Sequence, residues 1–153
     1  MLLRLGALAG LVLALAACGG SKRTAAPQSQ LPPGCSIPEV ERILDDFLAT
    51  GVVAPPGRFD VFGSKESDGR KVLLRKPTQV AAWFRQRKAL GERDRLIQLR
   101  VGKLDFNRAR ITFQLTRSAR DFVGRKIFTR VAKGAGTVDC AHQKVAAWVM
   151  QGP

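Results

Sequence analysis

The chain has 153 residues and a formal net charge of +14, from 26 Lys and Arg against 12 Asp and Glu. At 45% hydrophobic and 25% charged it is a globular sequence, neither disordered, collagenous nor coiled coil, with length for one domain and with anionic surroundings as its default partners. One histidine, no tyrosine and three cysteines leave few side chains for metal or acid–base chemistry, so no catalytic residue, metal ligand set or cofactor is expected.

Arg4 followed by the apolar run Leu5 to Leu15, too short for a bilayer that needs about 20 residues, reads as a signal peptide over 1–17. Leu15-Ala16-Ala17-Cys18 then resembles the lipobox of bacterial lipoproteins, and it matches at every position. The resemblance implies cleavage before Cys18, a diacylglyceryl thioether on its sulfur, acyl chains such as palmitate, and a cell-membrane anchor facing the extracytoplasmic side. Ordinary signal-peptidase cleavage, using Ala14 and Ala16, would instead release a soluble secreted chain.

Residues 18–34 are the expected lipidated N-terminus and flexible linker, rich in Gly, Ser, Gln and Pro without apolar periodicity. Lys22 and Arg23 are placed to favour anionic headgroups, although a solvated spacer explains them equally. With Cys18 given to lipid, Cys35 and Cys140 remain, and an oxidising compartment makes a disulfide between them the expected outcome.

Residues 35–153 form the expected domain. Ser36-Ile37-Pro38-Glu39 has the form of a capping box. Val40, Ile43, Leu44, Phe47 and Leu48 then make the apolar stripe of a first helix, stopped at Gly51. A short strand is predicted at Phe59 to Phe62 and another at Val72 to Leu74. A second helix runs from Pro77 to about Leu90, burying Val80, Ala81, Trp83 and Phe84.

From Arg95 the apolar period becomes two: Ile97, Leu99 and Val101 alternate with Gln98 and Arg100. After Gly102-Lys103 the phase shifts to Leu104 and Phe106, which predicts a β-bulge there. Asn107-Arg108 makes a turn, and Ile111, Phe113 and Leu115 mark the next strand. A third long strand is predicted from Gly124 to Lys133, interrupted at Gly134-Ala135-Gly136. Thr137 to Cys140 leads through a turn at Ala141-His142-Gln143 into a last strand, Lys144 to Met150. N-terminal helices packed on a long, curved antiparallel sheet constitute an α+β fold.

That order of elements, with Gly134 to Met150 containing a cysteine, a turn and a Trp-bearing strand, resembles the nuclear-transport-factor-like cone, also called ketosteroid-isomerase-like, as carried by actinobacterial lipoproteins. The resemblance implies a pocket inside the cone, used in some members for isomerase, dehydratase or cyclase chemistry and in others for binding alone. Its isomerases pair an aspartate base with a tyrosine, and this chain has no tyrosine. Asp60, Trp83, Phe106 and Phe113 are the candidate pocket residues; the wet side of a short strand is the favoured competing reading for Asp60, and plain core packing for the aromatics.

Charge is uneven along the chain: Arg70 to Lys133 holds nineteen bases and four acids. If Arg100, Arg110 and Arg117 share one polar face, they make a cationic surface for anionic lipid or a cell-wall polymer; plain solvation is the competing explanation. Export and the lack of a recognition motif argue against nucleic acid. The expected function is that of a membrane-anchored, non-catalytic binding or interaction module, possible partners being anionic envelope components, another protein or a second copy of the chain. The alternative is a small-molecule-binding or isomerase-like use of the cone.

Overall fold

The computed structural model describes residues 31–65, 70–120 and 127–151. The signal segment, Cys18, most of the linker and the predicted strand start at Gly124 lie outside the described residues. Helix α1 spans Ile37–Thr50 and helix α2 Pro77–Ala89. Six strands complete the domain: β1 Val61–Lys65, β2 Lys71–Leu74, β3 Arg93–Lys103, β4 Arg108–Arg120, β5 Ile127–Asp139 and β6 Lys144–Gln151.

The Ser36 backbone N–H and hydroxyl both donate to the Glu39 carboxylate, at 2.8 and 2.6 Å, which fixes the start of α1 and lowers the Glu39 pKa. The helix stops at Gly51, whose φ of 68° lies in the left-handed region; a Cβ there would also press on the Phe84 ring. Between these ends Val40, Ile43, Leu44, Phe47 and Leu48 are buried. The Phe47 ring lies 4.9 Å from both Phe84 and Trp148, centroid to centroid. Each such pair adds about 0.5–1.5 kcal/mol beyond the area it buries.

The six strands form one sheet in the order β2-β1-β6-β5-β4-β3. The long strands β3 to β6 pair antiparallel, as the alternation predicts, but β1 runs parallel to β6, with Phe62 beside Trp148. The sheet is therefore mixed, because the short strand follows a helix and not a hairpin, and it joins the last strand in the same direction. Strand β1 also begins at Val61, two residues later than the period suggests, since Phe59 is bound to Pro55 in a turn.

Two bulges depart from expectation in the same way. The register of β3 slips between Leu96 and Gln98, leaving Ile97 extra, and not at Gly102-Lys103, where the strand simply ends before a turn. A second slip falls between Thr137 and Val138. Both bend the sheet locally and increase its twist. Gly134 and Gly136, predicted to interrupt a strand, are instead continuous members of β5. A Cβ at Gly134 would strike the Phe113 ring, and one at Gly136 the Ala147 carbonyl, so glycine allows the strands to close up.

Candidate functional site

At the end of the sheet where β3 begins, a cleft of about 730 Å³ opens between the two helices and the first half of β3. Glu41, Asp45 and Leu48 contribute from α1, Phe84, Arg87 and Lys88 from α2, and Glu92 to Leu96 from the strand. The Lys88 ammonium donates to the Ala49 carbonyl and ties the two helices together at the rim.

Beneath the cleft lies a buried ionic cluster. In β4 the residues Ile111, Phe113, Leu115 and Arg117 fall on one face by the period of two, and all four are buried. Register places Asp94 of β3 directly opposite Arg117. The Arg117 Nε lies 3.3 Å from an Asp94 carboxylate oxygen, and its Nη2 lies 2.6 Å from Glu92. Arg87, one turn after Trp83 on α2, reaches the other Glu92 oxygen at 2.9 Å. The Arg117, Glu92 and Asp94 side chains are only 5%, 4% and 9% exposed.

Both guanidiniums also lie within cation–π range of the Trp83 ring, at 5.5 Å for Arg87 and 5.4 Å for Arg117. Two carboxylates and two guanidiniums balance, as buried charges must. Burial pushes the Asp94 carboxyl above its ordinary range, and the attraction of Arg117 offsets this only in part.

The predicted residues are dispersed by this geometry. Trp83 does sit at the cluster, against Phe62 and Phe84. Phe113 is core: its ring stacks on Trp148 at 3.7 Å. Phe106 is no pocket residue, because the turn between β3 and β4 leaves it 76% exposed. Asp60 is likewise outside, 59% exposed and 3.7 Å from Arg108 at the surface. Arg100 and Arg110 lie exposed on the outer sheet face, but Arg117, an odd number of residues from Arg110, must point the opposite way. Glu92 and Asp94 went unnoticed in the sequence; the available signal was the phase of Arg117 with Ile111 and Leu115.

The predicted disulfide is present, joining Cys35 to Cys140 across 105 residues of chain. The single histidine, His142, donates through Nδ1–H to the Asp139 carboxylate at 3.0 Å in the β5–β6 turn, at the far end of the sheet from the cleft. Among the described residues no group of His, Cys, Asp and Glu is placed to hold a metal ion, and no helix is long and apolar enough to cross a membrane.

No family model and no curated protein matches the sequence. Among solved structures the chain is similar to a protein described as a calcium/calmodulin dependent protein kinase II association domain from Xanthomonas campestris, with a TM-score of 0.61 and 16% identity over 84% of this chain and 95% of that one. The fold is the nuclear-transport-factor-like cone. Weaker likenesses are to a polyketide cyclase from the same organism (TM-score 0.46, 10% identity, 76% of this chain and 91% of that one) and to Aln2 from a Streptomyces species (0.47, 15%, 74% and 82%). The interior is packed by Phe47, Phe62, Phe113 and Trp148, and the cleft lies at the end of the sheet where β3 begins.

Proposed function

We propose that this chain is an exported, lipid-anchored binding module, with residues 1–17 removed as a signal, Cys18 acylated, residues 19–34 as the tether and the cone from Cys35 onward as the functional domain. Its ligand seat is the cleft, and the ligand is a small amphipathic molecule whose apolar body lies on Leu48, Phe84 and Leu96 while its polar groups meet the charged rim. The observation that carries the reading is the cleft itself, roomy enough for a small ligand and set over a rigid ionic floor. The Cys35–Cys140 bond supports an oxidising compartment.

Binding is favoured over turnover because Glu92 and Asp94 at the floor are each engaged by a guanidinium, and the histidine stands at the other end of the domain. The outer sheet face favours a second reading. Arg93, Arg95, Arg100, Arg110 and Lys133 are exposed there among Thr and Gln, and a shallow hollow of about 250 Å³ lies between Arg100 and Lys133. Anionic envelope polymers or headgroups fit that surface.

Extraction of the full chain from membranes in mild detergent, followed by native mass spectrometry, tests the primary reading. A diacylglyceryl mass on Cys18 and a bound small molecule that is lost in Ala49→Trp, which fills the cleft from its exposed rim, are expected. An unmodified Cys18 would remove the anchor, and a chain that never carries a ligand would remove the seat.

A further inference from the structure

The exposed Phe106 and the point where the tether joins the domain are at the same end of the molecule. Gly34 packs against the Cys140 carbonyl, Cys35 is bonded to Cys140, and the Cys140 N–H donates to the Asn107 carbonyl at 2.8 Å. Phe106 is the next residue. It is 76% exposed, and it is held out by a well-braced turn. The Leu104 and Asp105 N–H groups donate to the Arg108 carbonyl at 3.0 and 3.2 Å, while the Asp105 carboxylate accepts from the Asn107 N–H and from Arg108 at 3.0 and 2.7 Å. The one acid of the turn is thereby balanced, and exposed Lys103 and Arg110 flank it with positive charge.

We infer that this β3–β4 tip is a second contact with the bilayer, with Phe106 seated among the headgroups of an anionic lipid surface. The inference rests on the lipid-anchored reading. Gly34 is sixteen residues beyond Cys18, and a flexible chain of that length spans on average about 20–24 Å, so the acylated end holds the tip within reach of the surface. An aromatic ring beside cations suits the interface, where apolar groups sink roughly 5–10 Å into the headgroup and acyl boundary. The cleft is at the opposite end of β3, eleven residues away and so about 35 Å. With the tip in the headgroups, the domain stands upright and the cleft opens away from the lipid.

The test uses the full chain in vesicles of phosphatidylcholine and phosphatidylglycerol with brominated acyl chains, which quench tryptophan on contact. Trp83 and Trp148 supply the background. Phe106→Trp is expected to add emission of which about half is quenched, more by bromines near the carbonyls than by those near the chain ends. Leu90→Trp, an exposed site at the cleft end of α2, is expected to add emission that is not quenched. An unquenched Trp at position 106, or equal quenching at both positions, overturns the inference. Mass spectrometry of the same sample reads Cys18 separately: an unmodified cysteine defeats the anchor alone, because quenching at 106 still decides whether the tip meets lipid.

Discussion

Removing the Arg117 guanidinium would leave the largely buried Asp94 carboxylate without its partner and Glu92 with Arg87 alone. Arg117→Met keeps the bulk of the side chain but removes the cation shared by Glu92 and Asp94. The expected loss is about 3–5 kcal/mol of unfolding free energy, read from urea denaturation. Adding Glu92→Gln and Asp94→Asn in the same chain is expected to return most of it, since the penalty comes from unpaired charge more than from lost packing. If Arg117→Met proves neutral, the cluster is not what fixes the cleft end of the sheet.

Asp94 also gives the fold a sign of pH dependence. Burial raises its carboxyl above the ordinary 3.8, and Arg117 pulls the other way. The folded state therefore holds this proton more tightly than the unfolded one, and the Asp94 contribution to stability falls as pH climbs from about 3.8 through the raised value. Asp94→Asn mimics the protonated form; urea midpoints taken from about pH 3 to 7 should show the variant gaining on the wild type across that window and then holding a constant offset. Asp139 has the opposite sign. Burial pushes its carboxyl up, but the N–H, ring and charge of His142 outweigh it and leave the pKa lowered, so its contribution is present above 3.8 and is lost as pH falls. At this scale the seven-residue spacing of Arg110 and Arg117 already places them on opposite faces of β4, which the expectation of one shared polar face overlooked, whereas the depth at which Asp94 lies depends on a register no local pattern specifies.

Among the elements, α1 and β4 were legible because their apolar periods are unbroken, and the capping box and Gly51 marked the ends of the helix. The bulges were not, because a slip at Ile97 costs one unpaired residue whose place is chosen by what both strands bury. Gly134 and Gly136 misled for a related reason: glycine in a sequence signals a break, while here it answers the crowding of Phe113 and Ala147. The disulfide staples the start of α1 to the end of β5, spanning 105 residues. In the chain-entropy account such a loop contributes about 4–5 kcal/mol. Thermal unfolding with and without reductant, with Cys35→Ser/Cys140→Ser as the control, is expected to show that loss, and reductant should leave the double variant unchanged.

For the whole molecule, the layout of helices over a long sheet could be read from the order of periods, but the parallel partnership of β1 with β6 could not. It depends on which sheet edge is left for a short strand, a tertiary choice. The outer face belongs to this scale as well. Converting Arg100, Arg110 and Lys133 to serine alters solvent-facing positions and should leave the fold intact. At about 1 kcal/mol per cation, binding to a soluble polyanion such as polyphosphate is expected to weaken roughly 100-fold at low salt, and the wild type should lose the same affinity as salt is raised.

The position of β6 inside the sheet, between β1 and β5, sets the order in which an emerging polypeptide can finish. Residues 61–65 can pair early with residues 71–74, but that hairpin joins the long strands only when residues 144–151 arrive, and Cys35 has no partner until Cys140 is in place. If the chain is exported as proposed, it must therefore wait, its early aromatics unsheltered, until nearly all of it has passed through. Holding factors on the far side of the membrane would act during that interval.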